Sequence, residues 1–236
     1  MIRDRLNIAL SLEYASKTKQ QCHFYHAHDR LNQQPLHGEQ REHMWRVKSS
    51  VTRDTLGKLP LVHGIKVMVT ENIAICKKIV NGSEGTLHSL HYTTDEDGNQ
   101  YAAVAYIHVP LCGMRITDLP DDVVPIFPVR SSFQYKSPNN GPRFTISRTQ
   151  LPLVPAYSYT DYKSQGRSLS HAIVDLASAK SLQGVYVMLS RVRNLKGLAV
   201  LRWVPPQHIN QRLSEEIRDE LTCIQYLHEQ TMTQEM

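Results

Sequence analysis

Thr160-Asp161-Tyr162-Lys163-Ser164-Gln165-Gly166-Arg167-Ser168-Leu169 decides how this chain is read, together with Tyr186-Val187-Met188-Leu189-Ser190-Arg191-Val192-Arg193 a short way on. The first stretch lies between two apolar runs, 154–158 and 172–176, whose composition predicts strands. Hydroxyls, a Lys and a Gly at the C-terminal end of a strand can offer backbone N–H groups and short donors to phosphate oxygens. In the second, Leu182, Val185, Leu189 and Val192 recur at helical spacing, which sets Arg191 at the end of an apolar helix before the loop Asn194-Leu195-Lys196-Gly197. A guanidinium on a rigid base is suited to reaching a phosphate. Each segment also has a bland explanation. Polar turns at strand ends are common, and an Arg closing a helix complements its dipole.

The charge distribution favours an anionic partner for this region. The whole chain of 236 residues carries a formal charge of +5. Between 160 and 205 stand Lys163, Arg167, Lys180, Arg191, Arg193, Lys196 and Arg202 against Asp161 and Asp175, so this segment accounts for all of the +5. A basic block of this kind suits phosphate; the alternative is a solvated face without a partner. The 41% apolar and 21% charged composition excludes wholesale disorder. No apolar run is long enough to span a bilayer, and the first residues lack the apolar core of a signal peptide. Cys22, Cys76, Cys112 and Cys223 are scattered without a CxxC pair, which fits a reducing compartment. A soluble intracellular protein is expected.

Outward from the central stretch, residues 2–17 predict a helix with Ile2, Leu6, Ala9, Leu10 and Leu12 as its apolar stripe. Residues 37–50 show too little periodicity to assign. Residues 65–69 predict a buried strand entered through Leu59-Pro60-Leu61. Short strands are then expected at 86–91, 101–109, 123–129 and 143–147, separated by turns that include Asn81-Gly82, Asp95-Glu96-Asp97-Gly98-Asn99 and Ser137-Pro138-Asn139-Asn140-Gly141. A strand over 198–204 ends at Pro205-Pro206, and Ile209, Leu213, Ile217, Leu221, Ile224 and Leu227 mark a C-terminal amphipathic helix. The fold expected is α/β, with segments 1–78 and 151–236 interrupted by a small antiparallel β module at 79–150.

The order Leu151-Pro152-Leu153-Val154-Pro155-Ala156-Tyr157, Thr160, Lys163-Ser164-Gln165-Gly166, Val174-Asp175-Leu176, Tyr186-Val187-Met188-Leu189-Ser190-Arg191-Val192 and Gly197-Leu198 resembles the C-terminal half of superfamily 1B DNA helicases. The similarity is to the petite-integration-frequency type and to the helicases of Helitron transposons. Arg3-Asp4-Arg5-Leu6-Asn7, Gly64-Ile65-Lys66-Val67-Met68 with Asn72, and Asn81-Gly82-Ser83-Glu84-Gly85 agree with it. The resemblance covers about 1–230 and is most specific over 150–200.

This resemblance implies a second RecA-like domain, of the P-loop NTPase type with a parallel sheet, and an SH3-like β-barrel at 79–150 that helps form the strand-separation channel. It implies that Thr160, Tyr162, Lys163 and Ser164 contact single-stranded DNA and that Gln165 and Gly166 lie nearest the nucleotide. Arg191 would be the catalytic arginine finger on the γ-phosphate. Two positions depart from the family: Tyr162 stands where His is usual, so DNA contact is expected to be altered rather than abolished, and Met188 replaces a small residue.

No Gly-x-x-x-x-Gly-Lys-Ser/Thr occurs in the sequence. The phosphate cradle and the magnesium carboxylate of the family belong to its first RecA-like domain. ATP and Mg2+ are therefore expected in a complete helicase and not in this chain alone, with an N-terminal RecA-like ATPase domain, in cis or trans, as partner besides single-stranded DNA. A fragment, a truncated product or half of a two-chain assembly would all fit. Nuclear or mitochondrial placement, and roles in DNA repair and recombination, follow from the resemblance. The alternative is a non-catalytic nucleic-acid-binding relic. Cys22, His23, His26 and His28 lack a second ligand pair for zinc and are expected to form a polar loop. Asp95 to Asn99 lacks the closing Glu of a calcium loop and is expected to be a hairpin turn.

Overall fold

In the computed structural model the described residues are 2–136, 141–179, 181–204 and 215–234. They form two compact units, Met1–Tyr159 and Thr160–Met236. The first begins with α1 (Ile2–Lys17), the helix expected at 2–17. Its buried face is not the expected one. Asn7, Ser11 and Ala15 face inward, whereas Ile2, Leu6 and Leu12 are 44%, 39% and 46% exposed. The reason is polar. The Asn7 side chain donates to Ser158 O at 3.3 Å and accepts from Ser158 N at 2.8 Å, and Ser11 Oγ donates back to Asn7 O at 2.7 Å. Asp4 accepts from Ser49, and Arg3 pairs with Asp54.

After α1 come β1 (His23–His26), β2 (His28–Leu31), β3 (Gln34–Pro35), α2 (Gly38–Trp45) and β4 (Lys58–Leu61). The Cys22–His28 stretch, expected as a polar loop, is thus mostly strand. Next are β5 (Lys66–Val69), β6 (Glu84–Thr94), β7 (Gln100–His108), β8 (Val123–Ile126), β9 (Val129–Lys136), β10 (Arg143–Gln150) and β11 (Leu153–Pro155). One sheet runs β11-β5-β6-β7-β1-β4, with β8 also paired to β7. The other runs β3-β2-β10-β9 and is antiparallel throughout.

Strands from 79–150 therefore pair with strands that precede that interval, β6 with β5 and β10 with β2, and β11, which follows it, joins the first sheet through β5. The β-rich body extends over residues 23–155, and the expected edges at 78 and 150 lie inside it. The main core gathers Leu59, Leu61, Ile65, Val67, Ile107, Ile126 and Leu153.

Where the smaller sheet meets α2, a buried ion pair lies beside the apolar cluster of Met44, Phe133 and Ile146. Arg148 and Asp29 are both 0% exposed, joined by Nε–Oδ1 and Nη2–Oδ2 contacts of 2.7 Å each. Arg148 also donates to Thr55 O at 3.0 Å and to Met44 O at 2.7 Å, and lies over the Phe133 ring. Each guanidinium nitrogen is thus satisfied, as a charge without water requires.

The second unit contains α3 (Asp161–Ser164), β12 (Ala172–Asp175), α4 (Leu182–Leu189), β13 (Leu198–Arg202) and α5 (Glu215–Gln234). Strands β12 and β13 pair in parallel, and Val174, Leu176, Val185 and Val204 make a small core beside them. The apolar residues of α5, Ile217, Leu221, Ile224 and Leu227, are exposed. The expected turn residues 137–140, the stop at Pro205-Pro206, and Ile209 and Leu213 lie outside the described residues. No helix among the described residues is long and apolar enough to cross a membrane.

Candidate functional site

The polar stretch after Tyr159 is a single helical turn rather than a loop. Thr160 caps α3, its Oγ1 accepting from Lys163 N at 3.4 Å, as a hydroxyl before a helix start does. The turn ends at Gly166, whose φ of +73° lies in the left-handed region. A Cβ there would meet nothing within 4 Å, so the backbone conformation and not crowding favours Gly. Tyr162 is 73% exposed, Gln165 and Gly166 are exposed, Thr160 and Lys163 are half-buried, and Ser164 is buried. Tyr162 therefore offers an open ring to solvent, while Ser164 is turned inward.

The second motif segment lies directly against the first. Leu169 and Val192 form a parallel bridge, with Leu169 N donating to Arg191 O at 2.8 Å and Arg193 N to Leu169 O at 3.0 Å. Ser181 caps the start of α4 through Gly184 N, and the helix ends at Leu189, two residues before Arg191. The Arg191 side chain is held on all three nitrogens. Nε donates to Val187 O at 2.9 Å, and Nη2 to Ser190 Oγ at 2.7 Å. Nη1 reaches the carbonyls of Arg167 at 3.4 Å and Ser164 at 3.5 Å. The guanidinium thus rests on the backbone of the 164–167 turn. Sequence reasoning joins the two segments only through their order; the structure ties them physically through this side chain.

Two further details shape the site. Gly197 packs so closely on Ser170 that a Cβ would overlap the Ser170 carbonyl, which fixes the 195–197 turn beside the β12 entrance. Arg202 forms a two-pronged pair with Asp175, at 2.8 and 2.6 Å, so its charge is matched within the unit. Ser190, which orients Arg191, was not singled out by sequence, and a lone Ser after an apolar run gives no signal. Among the described residues no group of three or more His, Cys, Asp or Glu is placed to hold a metal ion.

No family model matches the chain. It is 31% identical over 148 residues to the ATP-dependent DNA helicase PIF1 of Xenopus laevis, a match over 63% of this chain and 20% of that protein. Among solved structures it resembles Bacteroides Pif1 bound to single-stranded DNA, with a TM-score of 0.58 and 19% identity over 94% of this chain and 44% of the other. The Pif1 helicase of Candida albicans gives 0.54 and 20% over 93% of this chain and 48% of the other. The structural likenesses establish a shared mixed α/β fold. The chain spans about a fifth of the curated relative and under half of the solved chains. In sequence the chain is similar to part of the Pif1-type DNA helicases, the family its motif order resembles, and it shares their mixed α/β fold.

Proposed function

We propose that this chain supplies the second, RecA-like motor domain of a superfamily 1B DNA helicase, with its β-rich body in the place of the family's SH3-like module. In this reading Thr160, Tyr162 and Lys163 hold single-stranded DNA, Ser164 shapes the turn from within, and Gln165, Gly166 and Arg191 face the nucleotide. The observation that carries it is the convergence of the 160–167 turn and Arg191 on one another through the Leu169–Val192 bridge and the guanidinium contacts.

The chemistry is electrostatic. As a γ-phosphate separates, charge builds on its oxygens, and a pre-positioned guanidinium stabilises that charge with little reorganisation. Val187 O and Ser190 Oγ aim Arg191, which saves that cost. A phosphate cradle is not encoded in the sequence, so turnover requires a first motor domain carrying the Gly-x-x-x-x-Gly-Lys-Ser/Thr loop, in cis or in trans.

The test is reconstitution. The purified chain alone should show no DNA-stimulated ATP hydrolysis. Adding a first motor domain of the Pif1 type should create it, and Arg191→Ala should remove roughly 10³–10⁵-fold of the rate. DNA-stimulated turnover by the chain alone, or full turnover with Arg191→Ala, overturns the assignment. Single-strand binding without any reconstituted turnover favours the second reading, a non-catalytic binding module.

A further inference from the structure

A second feature of the chain has the chemistry of single-strand recognition, and it lies in the Met1–Tyr159 unit. Tyr101, at the start of β7, is buried, and the exposed His28 ring lies flat against it, with centroids 4.1 Å apart and planes at 12°. The Tyr101 hydroxyl donates to Asp95 at 3.1 Å. Asp95 in turn accepts from the Asn99 backbone and side-chain amides and pairs with Arg41 at 3.3 Å. Arg41 lies over the Trp45 ring at 4.9 Å, and Trp45 Nε1 donates to Ala27 O at 2.8 Å. The ring pair is therefore backed by a connected polar and aromatic frame.

His28 opens on a cleft that Arg30, His37 and Arg41 also line, together with Asp29 and Asp95, whose charges are matched by Arg148 and Arg41. Burial, then the nearby Arg30 charge, lowers the His28 pKa below its ordinary value, so near neutral pH it offers an uncharged ring. A flat, rigidly backed π surface beside cations is how proteins hold an unpaired base by stacking while tracking its backbone by charge.

We propose that the His28–Tyr101 pair is a stacking platform for one base of a single nucleic-acid strand, with Arg30 and His37 flanking that nucleotide's phosphate. The proposal rests on the single-strand reading above and adds a contact far in sequence from 160–163. Its ligand must carry a base, whereas Lys163 needs only a phosphate.

The experiment uses the full chain and two labelled probes of equal length, an oligothymidylate and an abasic oligonucleotide, read by fluorescence anisotropy. His28→Ala should weaken oligothymidylate binding about tenfold and leave abasic binding unchanged. His28→Phe, which keeps a flat ring on Tyr101, should retain wild-type affinity. Lys163→Ala should weaken both probes alike. Wild-type affinity of His28→Ala for oligothymidylate, with Lys163→Ala still weakened, overturns the platform and leaves the single-strand reading standing. Equal loss on both probes also overturns it. Failure of the wild-type chain to bind either probe overturns both readings.

Discussion

Two arginines of this chain show how context sets the role of one side chain. Arg148 is sealed from water and matched at every nitrogen, by Asp29, Thr55 O and Met44 O. Removing one partner strands the other charge in the interior, which typically costs about 3–5 kcal/mol. Asp29→Ala or Arg148→Ala should lower the unfolding free energy by that order in denaturant titration; a loss below about 1 kcal/mol would mean water reaches the pair. Arg191 instead is half-buried and rests on carbonyls of the 164–167 turn. The sequence alone assigns Arg191 to nucleotide and Lys163 to DNA as separable functions. With Arg191 on that turn, Arg191→Ala should shift single-strand affinity measurably as well as abolish reconstituted turnover. Unchanged DNA affinity in that variant would restore the simpler division.

At the scale of elements, periodicity located structure better than it oriented it. The helix over 2–17 is found at those residues, yet its apolar stripe faces out. A polar pair at i and i+4, Asn7 and Ser11, is more strongly satisfied inside than an aliphatic row would be, and no hydropathy pattern carries that information. Asn7→Ala should therefore cost about 1–3 kcal/mol, by stranding the Ser158 amide. Leu6→Ala should stay within about 0.5 kcal/mol, and thermal melts of the two variants decide the matter.

Strands with β-branched runs and clear turns, β5 to β8, were legible. By contrast, β1, β2 and α2 were not: Cys22 to His28 was expected as a polar loop and 37–50 was unassigned, yet Tyr25, Asp29 and Trp45 are buried. The edges of the β body were missed for a related reason. Pairing of β6 with β5 and of β10 with β2 is long-range, so local composition cannot reveal it. Residue order singled out the 160–167 stretch and Arg191 but could not reveal the guanidinium's seat on the turn.

Over the whole molecule, protonation and charge set the conditions under which it works. His26 and His28 are held below their ordinary value of 6.5, burial being the main cause. The unfolded chain thus takes up protons before the folded one, and the stabilisation they contribute is complete above about pH 6.5 and falls as acid carries them through their folded values. Burial would raise Asp95, but hydrogen bonds from Asn99 and Tyr101, with the Arg41 charge, bring it from 3.8 to about 2. Its contribution is present above 3.8 and is lost on the way down to about 2. Melting temperature should fall in two stages on acidification, and Asp95→Asn should diminish the lower one. A flat profile from neutral to about pH 3 would contradict these shifts.

The central claim is the proposal that Thr160, Tyr162 and Lys163 hold the backbone of a single strand, and its most direct test is the salt dependence of oligothymidylate binding. Log affinity should fall linearly with log salt for the wild-type chain. Lys163→Ala should reduce that slope by one phosphate's worth, about 0.7. The Tyr162→Phe variant should leave the slope unchanged, because it removes no charge. An identical slope with Lys163→Ala, or wild-type binding that ignores salt, would contradict the account.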